Sequence, residues 1–177
     1  MTSTKWPEEF QIFMGLDCSS KAIHSIVLNL DETILTSHKW ASNKKTFTER
    51  FPLLLKDFWE DISRMKVTLT SKQQIFATVE ESIYIQNPRT TVQLASVVGC
   101  VKFGCYYNGL HLTGVNNRHW KKTVLGNGNA SKQDIMKFAV EKWGDVFEEQ
   151  DFADAACIAL WGVQNFKSRE VTSEKKE

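Results

Sequence analysis

Four acidic residues stand where a cation-dependent phosphoryl-transfer centre would need them. Asp17 closes the apolar run FQIFMGLD, Glu80 closes QIFATVE, and Asp151 and Asp154 open DFADAACIALWG. A buried carboxylate is costly unless it is paired or bound to a cation. Three segments far apart in sequence each present such a group, and oxygen ligands of this kind suit Mg²⁺. Asp151 and Asp154 lie three residues apart, so on a helix they share a face. Brought together, the four would repel one another unless cations lay between them. Two Mg²⁺ ions about 3.5–4 Å apart would serve an in-line displacement at phosphorus. The residues alone leave a second reading open, because Asp-x-x-Asp at a helix start is also a common capping arrangement.

A basic segment lies between the second and third acidic positions. Arg118, His119, Lys121, Lys122, Lys132 and Lys137 are set against Asp134. That density suits phosphate contact, although Lys121 and Lys132, each taken in isolation, read rather as ordinary surface lysines. His119 is the histidine to test for proton transfer. His24, His38 and His111 read as strand-surface or core residues. The GNGN stretch at 126–129 lacks the spacing and ending of a phosphate loop. Its glycines allow either a tight turn or close approach of backbone to a ligand.

The elements that must carry these groups alternate along the chain. FQIFMGLD (10–17) reads as a buried strand. IHSIVLNL (23–30) and TILTSHKW (33–40) read as a hairpin after it, with Asn29, Asp31 and Glu32 near the turn. Phe47, Phe51, Leu54, Leu55, Phe58, Ile62 and Met65 recur at helical spacing over about 46–65 and form a core stripe. QIFATVE (74–80) is a further strand, and Pro88 opens a helix over about 88–107. LHLTGVN (110–116) is a strand. Ser131 and Gly144 bound a helix, and residues 151–167 form the last one. Glu81 follows Glu80 and faces the opposite way on a strand, as a structural or solvated residue. The pattern predicts an α/β fold with a mixed five-stranded sheet flanked by helices. Residues 1–9 read as a flexible lead-in, 10–167 as one domain and 168–177 as a disordered charged tail.

Composition sets the outer bounds. The chain has 177 residues, 42% of them hydrophobic, with eleven Phe and six Trp to anchor a core. A net charge of +1 means that affinity for a polyanion must come from a local patch. The four cysteines form no Cys-x-x-Cys pair and read as reduced thiols. MTSTKWPEEF has neither the basic nor the apolar region of a signal peptide, and no apolar run reaches membrane-spanning length. The expectation is an intracellular, soluble protein.

From about residue 12 to 163 the sequence resembles the RuvC family of Holliday-junction resolvases, which have the RNase H-like fold. GLDCSS (15–20) is similar to the first-strand motif, with Asp17 as the catalytic aspartate. ATVEESIYIQN (77–87) is similar to the second motif, with Glu80 as its glutamate. RHWKKTVLGNGNASKQDI (118–135) resembles the basic segment, with Lys121 and Lys132 at the lysine positions near the scissile phosphate. DFADAACIAL (151–160) resembles the closing motif, with Asp151 and Asp154 as the last two metal ligands. Cys18-Ser19 replaces the family's usual Pro-Gly. Ile83 stands where members often place a phenylalanine that stacks at the junction centre, with Tyr84 beside it to stack or to pack.

The resemblance implies a homodimeric endonuclease that nicks four-way DNA junctions in pairs. It implies two Mg²⁺ per site, with Mn²⁺ as a substitute, and DNA contacts from Arg118, Lys121, Lys122, Lys132, Ile83 and Tyr84. The helix at 88–107, with its small residues, is the candidate dimer surface. The rival readings are a related nuclease acting on RNA–DNA hybrids, a non-catalytic junction binder, and an actin-like kinase, for which the chain is too short.

Overall fold

The computed structural model describes residues 11–68, 74–81 and 87–174. The expected N-terminal lead-in, together with Ile83 and Tyr84, lies outside them. Strands β1 (Gln11–Cys18), β2 (Ala22–Leu28) and β3 (Ile34–Ala41) are followed by helix α1 (Phe47–Thr68), β4 (Gln74–Glu80), α2 (Pro88–Tyr107) and β5 (His111–Val115). Three helices end the chain: α3 (Asn117–Leu125), α4 (Lys132–Trp143) and α5 (Gln150–Glu174). The sheet order is β3-β2-β1-β4-β5. β1 runs antiparallel to β2 and parallel to β4, and β4 runs parallel to β5, so the sheet is mixed as expected.

Alternation along the central strands divides the core. Ile12, Met14 and Leu16 of β1, with Ile75, Ala77 and Val79 of β4, pack toward α1 and α2. Phe13, Ile26, Leu28 and Val115 pack toward α3, α4 and α5. On this second face α5 lies very close to the sheet. A Cβ on Gly15 would stand 2.1 Å from the Ala155 carbonyl oxygen and 2.4 Å from the Ala159 nitrogen. Ala153, Ala155, Ala156 and Ala159 are fully buried along that contact. Small side chains thus let the helix backbone rest on β1 and carry its first turn to the sheet edge where β1 and β4 end.

Two turns hold the hairpin in place. In the β1–β2 turn the Ser19 amide donates to the Ala22 carbonyl at 2.8 Å, while the Ala22 amide donates to Ser19 Oγ at 3.0 Å. A serine side chain therefore closes this turn. After β2, Glu32 adopts φ 67°. Its carboxylate accepts from Lys142 at 2.7 Å and Lys167 at 3.1 Å, and its carbonyl accepts from Trp143 Nε1 at 2.7 Å. The hairpin is thereby tied to α4 and α5.

Two boundaries differ from expectation. Residues 117–125, read only as a basic segment, form α3, capped by Asn116 and by Gly126 at φ 76°. Residues 168–174, read as disordered tail, continue α5 to Glu174. Among the described residues, no helix is long and apolar enough to cross a membrane. Cys18, Cys100, Cys105 and Cys157 are free thiols.

Candidate active site

The four carboxylates meet at the carboxyl ends of the two central parallel strands, the edge of an α/β sheet where ligands ordinarily bind. Asp17 is the seventh residue of β1, and Glu80 is the last of β4. The parallel register that pairs Leu16 with Val79 sets Glu80 beside Asp17. Asp151 and Asp154 come from the first turns of α5. One ligand atom from each of Asp17, His24 and Asp151 lies within 4.8 Å of the other two.

The electrostatics of this edge are unfavourable for anions alone. Burial, then repulsion from Asp154, Glu80 and Asp151, pushes the Asp17 carboxyl well above its ordinary range. Burial also pushes Asp154 up to about 6, although Gln150 donates to it at 3.3 Å and Lys132 acts in the opposite direction. Such a donor set fits a hard divalent cation, which would neutralise the cluster and satisfy its oxygens.

Glu80 is held from the side. Its Oε1 accepts from Asn117 Nδ2 and its Oε2 from Trp120 Nε1, each at 2.8 Å. Trp120 is buried at 1% exposure, so its indole fixes the carboxylate from within the core. Asn117 and Trp120 are three apart on α3 and share its inner face. Sequence reasoning missed both residues, because it assigned no helix here. Glu81 points away from the site and pairs with Lys102 at 3.0 Å.

The basic residues distribute around the rim. Lys132, in the first turn of α4 after the Ser131 cap, is exposed and lies 3.5 Å from Asp151 Oδ1. Arg118 and Lys122 lie on the exposed side of α3, and Lys122 donates to the Gly126 carbonyl at 3.1 Å. Lys121 stands 5.5 Å from the Trp120 ring centroid. His119 is exposed and packs edge-on against Trp161 at 5.7 Å. A Cβ on Gly128 would lie 3.0 Å from the Arg118 carbonyl oxygen. That glycine thus serves close approach to α3.

A further group reaches the site from β2. His24 pairs with Asp17 in the β1–β2 register and with Lys39 in the β2–β3 register, so the three share one row and one face. His24 is buried at 2% exposure. Its Nε2 lies 3.1 Å from Glu149 Oε2, Lys39 binds the other Glu149 oxygen, and its Nδ1 is 3.8 Å from Asp151 Oδ2. The expectation of a core histidine holds for its burial but missed its place in the site. Counting outward from the Ser19–Lys21 turn, which pairs 18 with 23 and then 17 with 24, would have found it.

Comparison with known proteins agrees with this architecture. The family model of the crossover junction endodeoxyribonuclease RuvC matches residues 15–161. RuvC of Brachyspira hyodysenteriae is 30% identical over 84 residues, 48% of this chain and 52% of that protein. RuvC of Sphingopyxis alaskensis is 35% identical over 85 residues, 48% of this chain and 54% of that protein. The chain spans about half the length of these curated relatives. A solved structure of T. thermophilus RuvC in complex with a Holliday junction substrate aligns with a TM-score of 0.69 at 15% identity, covering 91% of this chain and 96% of that one. At that identity the likeness establishes the fold, which is RNase H-like.

Proposed function

The chain belongs to the RuvC family of crossover junction endodeoxyribonucleases, and on that premise we propose that it is a structure-selective DNA endonuclease that resolves four-way junctions by paired nicks. The observation that carries the reading is the convergence of four carboxylates at one sheet edge, with Asp17 driven up by burial and by the other three. Asp17, Glu80, Asp151 and Asp154 would hold the divalent cations, two Mg²⁺ per site with Mn²⁺ as a substitute. Bound there, such cations supply Lewis acidity and charge neutralisation for phosphodiester hydrolysis. The products are a 5′-phosphate and a 3′-hydroxyl.

The chain's own groups do the positioning. Trp120 and Asn117 keep the Glu80 carboxylate in one orientation, so it loses little entropy on engaging a ligand. Lys132 is exposed beside Asp151, where its ammonium can meet a phosphate oxygen. Lys121, Lys122 and Arg118 extend the positive rim along α3, and Ile83 and Tyr84 are proposed to contact bases at the junction. The carboxylates themselves exclude a backbone phosphate until cations offset their charge, which couples cleavage to metal.

A second copy would bring the second active site. On α2, Val97, Val98 and Val101 turn inward. Val92, Ala95, Gly99, Phe103 and Tyr106 are exposed on the outer side, and a Cβ on Gly99 would meet nothing within 4 Å. This face, where Ala95 and Gly99 lie among larger apolar side chains, is the proposed two-fold contact, and sedimentation as a monomer at micromolar concentration would count against it.

The test of function is cleavage of a synthetic four-way DNA junction in Mg²⁺, with linear duplex and RNA–DNA hybrid alongside. Wild type should give paired symmetric nicks in the junction, and Asp154→Asn should bind without nicking. Binding by wild type with no nicks would make the protein a junction binder. Cleavage confined to the hybrid would place it among the ribonucleases of the same fold.

A further inference from the structure

His24 brings a nitrogen donor into a site otherwise made of carboxylates. Its Nε2 faces Glu149 Oε2 at 3.1 Å. A carboxylate only accepts, so Nε2 carries the proton of that bond, and in the neutral ring Nδ1 keeps its lone pair. Nδ1 makes no hydrogen bond to any described residue. Its near neighbour is Asp151 Oδ2 at 3.8 Å, beyond hydrogen-bond reach. The imidazole is buried and clamped, with the Phe152 ring edge-on at 5.0 Å. A ring nitrogen turned toward Asp151, with Asp17 also within 4.8 Å of the histidine, is a position that a proton or a metal cation would satisfy. Three donor atoms bonded at about 2.1–2.2 Å to one ion stand about 3 Å apart where cis and at most roughly 4.4 Å where trans, so the three must close by up to about 1–2 Å on binding it.

We propose that His24 is a nitrogen ligand of the divalent cation held between Asp17 and Asp151, and that it turns this half of the site toward Mn²⁺ or Co²⁺ over Mg²⁺. Imidazole suits transition metals, whereas an all-oxygen site suits Mg²⁺. Glu149 is then the carboxylate behind the ligand. It fixes the tautomer and the ring plane, and Lys39 fixes Glu149 in turn. Asp17, His24 and Lys39 are consecutive partners across three strands, so the sheet register itself sets ligand and support in line. The proposal rests on the metal-dependent reading of the carboxylate cluster.

Pulsed electron paramagnetic resonance on the 177-residue chain with substoichiometric Mn²⁺, without DNA, tests it directly. The expected spectrum shows ¹⁴N modulation from a coordinated imidazole in wild type and in His119→Gln, and none in His24→Gln. By calorimetry, His24→Gln should bind Mn²⁺ at least roughly tenfold more weakly while Mg²⁺ affinity changes far less. Glu149→Gln, a change at a partly exposed position that leaves the core untouched, should keep the ¹⁴N signal and weaken Mn²⁺ binding. This second variant keeps the test open should His24→Gln fail to fold. Bound Mn²⁺ without ¹⁴N modulation in wild type would overturn the assignment of His24 and leave the carboxylate site standing. Absence of Mn²⁺ binding at millimolar metal would overturn both.

Discussion

Removing one carboxylate should stabilise the metal-free protein, and the pH at which it does so follows from Asp154. Its carboxyl is pushed from an ordinary 3.8 to about 6, burial being the main cause. Below about 3.8 the folded and unfolded chains both hold the proton, and the group costs nothing. Between 3.8 and about 6 the unfolded chain ionises first, so the folded state binds more protons and stability falls as pH rises. Above about 6 the full cost is present. A shift of about two units corresponds to roughly 3 kcal/mol at 1.4 kcal/mol per unit, and Asp17 acts in the same direction. Asp154→Asn has no proton to lose, and its amide oxygen can still accept from Gln150. In EDTA at pH 7.5 the variant should therefore be about 2–3 kcal/mol more stable, which for a domain of this size is a melting temperature about 4–12 °C higher. At pH 4 the two proteins should converge. With Mg²⁺ in excess the order should reverse, because wild type gains the free energy of ligand binding. Thermal and urea unfolding from pH 4 to 7.5, with and without Mg²⁺, measure each step. Parallel stability curves for the two proteins across that range in EDTA would refute the claim that burial and crowding of these carboxylates oppose folding.

Three other outcomes follow from single contacts. Gly15→Ala sets a methyl against the backbone of α5, 2.1 Å from the Ala155 carbonyl oxygen; it should cost about 3 kcal/mol or more in thermal unfolding and displace Asp151 and Asp154 together. Trp120→Phe keeps an aromatic ring but removes part of its buried volume and the donor to Glu80 Oε2; a stability loss of about 1–3 kcal/mol and a clear fall in junction cleavage are expected, with DNA affinity in Ca²⁺ nearly unchanged. Lys132→Ala should weaken junction binding and reduce the slope of log affinity against log salt by about one, read by fluorescence anisotropy across a salt series.

The parts of this molecule that could be read from sequence are those where local chemistry decides. Pro88 at a first helical position, with Asn87 accepting from the following amides, and Ser131 with Asp134 as a capping box fix two helix starts from side chains a few residues apart. Strands ending on a carboxylate gave Asp17 and Glu80 at the sheet edge. Helix α3 was hidden for a physical reason. It has nine residues, below the length at which a helix is stable alone. What holds it is tertiary, the burial of Trp120 and two hydrogen bonds to Glu80 some 40 residues earlier. Its capping residues Asn116 and Gly126 were visible but carry little weight without an apolar stripe between them. The extension of α5 past residue 167 was hidden because charge runs carry no periodicity of burial, although charged residues other than Asp form helices readily.

The site is best understood as one row of the sheet extended by two helices. Lys39, His24, Asp17 and Glu80 follow one another across four strands on the face that packs against α5. A one-residue slip of any one of these strands would turn its member of the row to the other face, toward the α1–α2 core. The alanines of α5 and Gly15 set the height of Asp151 and Asp154 above that row, and Trp120 of α3 sets the angle of Glu80 within it. Positions of the acidic groups are thus determined by apolar packing and by register, while the groups themselves oppose folding. A fold that retains so much uncompensated negative charge at one edge, and builds a buried histidine, a tryptophan and an asparagine to orient it, is organised around cations. That is the physical ground for expecting metal removal to abolish cleavage while leaving the folded domain intact.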